Sequence, residues 1–283
     1  MKKGVYAKET HHSTVRIAPA LTVETHHIDI IAEQIREVIT SHEPISLMKA
    51  YFSIADESTL KKVDKRISPL SLALGSIGMP GLTAYFGLFR IGKIKKGETV
   101  VVSAASGAVG SVVGQIAKEI GCTVVGIAGS EKKVNYIKDE LKFDYGLNYN
   151  YEGWEEELRS IAKDKVDIYF DNVGGYISDK VIENLNIGAR VLICGQISQY
   201  NNKEQELGPR NYWQFLSKKS RLEGFVVYDF EEDFPEGIDY LVNLKNKNKL
   251  IFKETIVDGF ENAPRAFLKL FSGENFGKLL IKV

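Results

Sequence analysis

ETVVVSAASGAVGSVVG, residues Glu98 to Gly114, is the stretch whose reading decides the fold. Thr99 to Val102 is a β-branched run that suits a buried strand. It runs into four small residues, Ala104-Ala105-Ser106-Gly107, and then into a helix-compatible segment from Ala108 to Ile120. Strand, tight turn and helix N-terminus in direct succession form the device that holds a pyrophosphate. Gly107 lets backbone N–H groups approach an anion, and Gly110 lets the helix pack closely on the strand. The helix start adds unpaired N–H donors and a partial positive charge. The pattern, Ala105-x-Gly107-x-x-Gly110, is a relaxed form of the dinucleotide fingerprint, and small residues also serve plain helix–sheet packing.

The next strand favours the dinucleotide. Thr123 to Ile127 ends at Gly129-Ser130, where a βαβ nucleotide site meets the adenosine ribose. A site for NAD places Asp or Glu there to hold the 2′-hydroxyl. Here Ser130 is followed by Lys132 and Lys133. A carboxylate repels a 2′-phosphate, whereas a hydroxyl and an ammonium attract it. The reading is NADP over NAD, with Glu131 as the counterweight. Solvated lysines on a helix face are the plainer account of the same residues.

Alternation continues downstream. Helical patterns are expected at 132–141 and 154–162, a strand at 166–170, a helix at 177–185 and a strand at 190–194. A helix at 212–217, a strand at 222–227 and a helix at 234–245 follow. This spacing predicts an α/β fold built on a doubly wound parallel sheet. The polar loops at 171–175 and 195–201 then lie at the carboxyl ends of strands, where such sheets bind ligands. A strand at 250–257, a helix at 260–271 and a strand at 278–283 read as chain leaving the sheet for another domain.

Composition narrows the function. The 283 residues are 44% hydrophobic and 26% charged with zero formal net charge, an ordinary globular balance. Nothing in it favours nucleic acid or a membrane surface, and no apolar run is long enough to span a bilayer. There is no signal-peptide pattern at the N-terminus. Cys122 and Cys194 fall in segments expected to be buried, which suits a reducing, cytoplasmic compartment. No CxxC pair or Cys/His cluster accompanies the dinucleotide motif, so no metal is expected. All five histidines, His11, His12, His26, His27 and His42, lie in the first 42 residues, without diagnostic ligand spacing. Acid–base work beside the dinucleotide therefore falls to Tyr, Lys, water or the cofactor ribose.

Residues 48–283 resemble the zinc-independent medium-chain dehydrogenases/reductases, in the prostaglandin reductase and 2-alkenal reductase branch. The motifs that carry the resemblance are GMPGLTAYFG from Gly78, AASGAVGSVVGQIAK, FDNVGG, CGQISQYN and the closing GENFGK. The resemblance implies a Rossmann domain that binds NADP. Gly107, Ala108, Val109 and Gly110 match its pyrophosphate turn, and Lys133 and Tyr149 its 2′-phosphate contacts, beside Ser130. Asn172 matches a cofactor contact. Cys194, Gly195, Ile197 and Ser198 belong to the segment at the nicotinamide end, and Phe225, Val226, Val227 and Asn275 match further contacts there. Tyr200 is the candidate catalytic residue, since a phenol suits a developing enolate oxygen. The implied reaction is NADPH-dependent reduction of the C=C bond of an α,β-unsaturated aldehyde or ketone. A quinone reductase, or a non-catalytic NADP-binding fragment, stands as the alternative.

Family members carry an N-terminal β-barrel domain, of which only residues 48–74 find a match, so a truncated remnant and impaired turnover are expected. Residues 6–39 instead resemble the C-terminal tail of ornithine aminotransferase, with Arg16 at its carboxylate-binding arginine. Ile28, Ile31, Ile35 and Val38 would line one face of a short helix there. The expected division is an aminotransferase-like tail at 1–42, a substrate-domain remnant and linker at 43–88, an NADP domain at 89–249 and a return to the substrate domain at 250–283. A homodimer is expected through an apolar sheet edge at 222–228.

Overall fold

The computed structural model describes residues 7–10, 14–17, 62–204 and 206–282. The chain divides into two compact units, one of residues 64–255 with 273–278, the other of 1–63, 256–272 and 279–283. In the latter, strands β1 (Ala7–Thr10) and β2 (Thr14–Ile17) pair antiparallel, with Lys8 opposite Arg16. The helix expected at 28–38, all five histidines and the segment 48–61 lie outside the described residues.

The larger unit holds a six-stranded parallel sheet. Its strands are β3 (Thr99–Val102), β4 (Thr123–Ala128), β5 (Tyr145–Asn148), β6 (Val166–Asp171), β7 (Leu185–Ile193) and β8 (Arg221–Gly224). Their order is β5-β4-β3-β6-β7-β8, so the winding reverses between β3 and β6. That reversal leaves a crevice at the carboxyl ends, the place where open α/β sheets bind nucleotides. The doubly wound parallel sheet read from the sequence is the sheet observed.

Helices cover both faces. Val100, Val102, Ile168 and Phe170 pack with α1 (Met79–Phe86), α2 (Gly110–Ile120) and α7 (Phe234–Asn246). Val101, Val125, Tyr169 and Val191 pack on the other side with α4 (Trp154–Ala162) and α5 (Gly175–Ile182). Successive strand residues thus enter opposite cores, which explains why β3 is apolar throughout instead of alternating. Helices α3 (Glu131–Asn135) and α6 (Tyr212–Ser217) complete this unit. Beyond it in the chain come β9 (Glu254–Asp258), α8 (Ala263–Ser272) and β10 (Lys278–Lys282), with β9 and β10 paired in their own two-stranded sheet.

Three details depart from the sequence reading. β5 was not expected, because Tyr145-Gly-Leu-Asn148 is a short edge strand with Leu147 as its one buried residue. β8 ends at Gly224, and Phe225 and Val227 turn into the core instead of lining the edge. The edge itself carries Arg221 and Glu223, so it is less apolar than the sequence suggested. Cys122 is buried and Cys194 only half-buried. No helix among the described residues is long and apolar enough to cross a membrane.

Candidate functional site

The turn after β3 is fixed almost entirely by backbone. Ser103 N–H donates to Phe170 O at 3.2 Å and Ala105 N–H to Ile127 O at 3.0 Å, which ties the turn to both neighbouring strands. Ala104 adopts φ +50°, and Gly107 N–H closes back on Ala104 O at 2.8 Å. A Cβ at Gly110 would stand 2.4 Å from Ala104 O, so helix α2 can start this close to the strand only on glycine. The N–H groups of Val109 and Gly110 donate to no partner among the described residues. Gly107, Ala108 and Val109 are half-buried, within reach of a ligand. This is an anion cradle at a helix N-terminus.

A C-terminal segment crosses that turn. Gly277 N–H donates to Ser106 O at 2.8 Å, and Asn275 Nδ2 to Gly277 O at 3.2 Å. Gly277 sits at φ +56°, and a Cβ there would fall 1.8 Å from Lys253 O. The GENFGK motif therefore places Asn275 beside the cradle.

The corner expected to meet the ribose lies at the ends of β4 and β5. Ser130 caps α3, its Oγ accepting Lys133 N–H at 3.4 Å. The Tyr149 hydroxyl hangs 2.7 Å from where a Gly129 Cβ would stand, and Asn150 Nδ2 donates to Gly129 O at 2.9 Å. Ser130 and Tyr149 are thus brought together. The Glu131 carboxylate is taken by Asn148 Nδ2 at 2.9 Å. Lys133 Nζ donates to Gly273 O, and burial lowers its pKa.

At the end of β6 a buried carboxylate organises the loop. Asp171 Oδ1 accepts from Ser103 Oγ at 3.2 Å, Tyr169 Oη at 2.9 Å, and the N–H groups of Val173 and Gly174, each at 2.9 Å. Its Oδ2 accepts from Ser178 Oγ at 2.6 Å. Burial, and then the Asp171 charge, holds the Tyr169 hydroxyl protonated well above the usual range. Asp171 O receives Cys194 N–H at 2.8 Å and Gly195 N–H at 3.1 Å. Asn172 Nδ2 donates to Ser103 O at 2.8 Å. One residue thereby joins the ends of β3, β6 and β7. The sequence reading passed over Asp171 and took Asn172 beside it. The available signal was a carboxylate closing a buried strand just before Gly174-Gly175.

The loop after β7 folds back over the same place. Ser198 Oγ donates to Val173 O at 2.7 Å, and the Tyr200 hydroxyl accepts Gln196 N–H at 3.0 Å. That hydroxyl stands 3.2 Å from where a Gly195 Cβ would be, and its own proton is available to an acceptor. Ile197 is half-buried in this loop. Phe225 packs edge-on against Phe170, with centroids 6.1 Å apart, and Val227 is buried. Of that trio Val226 is exposed, and Phe225 and Val227 are buried. A cavity of about 460 Å³ opens among Tyr149, Val173, Gly174 and Ser198, along the strand ends.

Comparison with known proteins agrees with this geometry. Residues 108–243 match the family model described as zinc-binding dehydrogenase. The chain is 52% identical over 235 residues to the YfmJ protein of Bacillus subtilis, covering 82% of this chain and 69% of that one. It is 43% identical over 234 residues to the NADP(+)-dependent 2-alkenal reductase of Nicotiana tabacum, covering 82% and 68%. The chain belongs to the medium-chain dehydrogenase/reductase family. Its branch is that of the alkenal, prostaglandin and curcumin reductases. The crystal structure of CurA from Vibrio vulnificus in complex with NADPH superimposes with a TM-score of 0.75 at 43% identity, over 79% of this chain and 68% of that one. Although the family model carries zinc in its description, no group of three or more His, Cys, Asp or Glu among the described residues could hold a metal ion. Along these strand ends the fold gathers a backbone cradle, a corner of Ser130, Tyr149 and Lys133 in which Glu131 accepts from Asn148, and Tyr200 in the loop after β7.

Proposed function

We propose that this chain is an NADPH-dependent reductase of α,β-unsaturated aldehydes or ketones, with the cofactor along the carboxyl ends of β3, β4 and β6. The observation that carries the reading is the cradle at Ala104–Gly110 joined to a ribose corner of Ser130, Tyr149 and Lys133. The NADP dependence in the tobacco relative's name supports the choice of cofactor. When bound, NADPH supplies the hydride that adds to the β-carbon of the enone.

The chain's own residues have separable tasks. Val109 and Gly110 N–H groups, at the start of α2, hold the pyrophosphate. Ser130, Tyr149 and Lys133 hold the 2′-phosphate by hydroxyl and ammonium contacts. Asn172, Cys194, Gly195, Ile197 and Ser198, with Asn275 and the backbone at 225–227, border the nicotinamide. The Tyr200 hydroxyl donates a hydrogen bond to the substrate oxygen as negative charge develops there, and keeps its proton. Gln196 N–H, on the same phenol oxygen, favours that donation. The α-carbon is then protonated from water.

We assign the cofactor domain to 89–249, a substrate-domain remnant and linker to 43–88, a return to the substrate domain to 250–283, and a separate segment to 1–42. A homodimer through the β8 edge extends the proposal. Leu222 on the edge and Tyr212, Trp213 and Leu216 on α6 are all exposed, an apolar surface that a second copy would cover. Two cysteines, Cys122 buried and Cys194 half-buried, suit a cytoplasmic setting.

The test is NADPH oxidation, followed by the absorbance of the reduced nicotinamide, with a small enone and with a quinone. Enone-dependent turnover supports the proposal. Preference for the quinone selects a quinone reductase instead, and binding without turnover leaves a cofactor-binding module.

A further inference from the structure

Three ammonium groups converge on one aromatic ring. Lys132, Lys133 and Lys253 Nζ lie 5.4, 5.6 and 5.0 Å from the centroid of Phe276. The first two lie in the first turn of α3, after Ser130 and Glu131. The third precedes β9, and the ring belongs to the segment that crosses the cradle. Lys253 Nζ also lies 4.5 Å over the ring of Tyr136, which meets Phe276 edge-on at 5.6 Å.

The cluster is held firmly and neutralised thinly. Lys253 O accepts Lys278 N–H at 3.2 Å. Thr255 Oγ1 donates to Phe276 O and accepts Phe276 N–H, each at 3.0 Å. These bonds fix the backbone on both sides of the cluster. The only carboxylate in ion-pair range of the three lysines, among the described residues, is Glu140, 3.5 Å from Lys253 and half-exposed. Lys133 meets a neutral carbonyl. The Tyr136 hydroxyl, on a side chain 4% exposed, has no hydrogen-bond partner among the described residues. Like charges gathered on one ring, next to an unpaired donor, are a poor arrangement alone and a good one around a dianion.

We propose that Lys253 is a further ligand of the cofactor's 2′-phosphate, with Phe276 as the platform that positions it. This inference rests on the NADPH reading. It makes the choice of NADPH over NADH a joint property of the β4–α3 corner and the C-terminal segment. The 2′-phosphate, present in NADPH and absent from NADH, is a monoester that brings nearly two negative charges to one group for these ammonium groups to match.

The test uses the full chain and three proteins: wild type, Lys253→Met, which keeps an unbranched stem over the rings, and Lys253→Arg. Each is titrated with NADPH and with NADH. The Met variant should bind NADPH about five- to thirtyfold more weakly, since one charge-assisted contact is lost, and NADH within about twofold of wild type. The Arg variant should recover most NADPH affinity. An unchanged NADPH affinity in Lys253→Met, or an equal loss for both cofactors, overturns the inference alone. A wild-type protein that binds neither nucleotide overturns the cofactor reading and this inference with it.

Discussion

The anion cradle and the ribose corner lie on neighbouring strand ends and are built on opposite principles. The cradle consists of backbone. Its groups come from Ser103 to Ser111 and from Gly277, and its specificity lies in what is absent, a side chain on Gly110. The proposed ribose corner consists of side chains drawn from β4–α3, from Tyr149, and from the segments around Lys253 and Phe276. A backbone site accepts any pyrophosphate and tolerates no bulk. A side-chain site discriminates between cofactors and degrades one contact at a time.

Substitutions can break that contrast. The largest effect is expected at Asp171, which holds β3 and β6 together beneath both sites. Asp171→Ala leaves five donors, including Ser178 Oγ and two backbone N–H groups, without their acceptor. A stability loss of about 3–5 kcal/mol is expected by denaturant titration, with Asp171→Asn in between. A loss below about 1 kcal/mol would show that the network is ornamental. Gly110→Val comes next. Its Cβ would collide with Ala104 O, and about 1–3 kcal/mol of strain should accompany weaker binding of NADPH and NADH alike. Selective loss of one cofactor would move the pyrophosphate elsewhere.

Lys133→Ala should separate the two sites instead. NADPH should weaken by about ten- to a hundredfold while NADH hardly changes, as one charge-assisted contact disappears. Burial already lowers the pKa of Lys133, so NADPH affinity should fall at alkaline pH as the ammonium loses its proton. A parallel fall for NADH would deny the contact.

The smallest effect concerns stability at high pH. Burial pushes the Cys122 thiol up to about 11 and the Tyr136 hydroxyl up to about 12, from ordinary values of 9.0 and 10.0. Both folded-state pKa values are raised, so this contribution is complete below pH 9.0 and is lost as pH climbs to about 12. Tyr136→Phe should flatten the upper part of that loss in a pH series of thermal melts. An unaltered profile would place the alkaline weakness elsewhere.

The contrast also explains what the sequence disclosed. Glycine spacing after a β-branched strand is local chemistry, so β3, the cradle and the start of α2 could be read within seventeen letters. The helix at Trp154–Ala162 was legible for a related reason, since one amphipathic period sets both of its ends. β5 escaped because Tyr145-Gly-Leu-Asn148 has no pattern of its own and becomes a strand only by pairing with β4. Phe225 and Val227 read as edge residues because composition cannot say which way a segment turns after a strand ends. Lys253 lies 120 positions from Lys133 in the chain, and only the fold gathers them on Phe276. Tyr149 and Asn275 came from resemblance to a family, which encodes such distant gatherings where periodicity does not.

The central claim is that this sheet edge selects NADPH. The direct measurement is a pair of equilibrium titrations of the wild-type chain, with NADPH and with NADH, followed by quenching of intrinsic fluorescence. A micromolar dissociation constant for NADPH, at least about tenfold tighter than for NADH, is the predicted result. Equal affinities, or tighter binding of NADH, would contradict it.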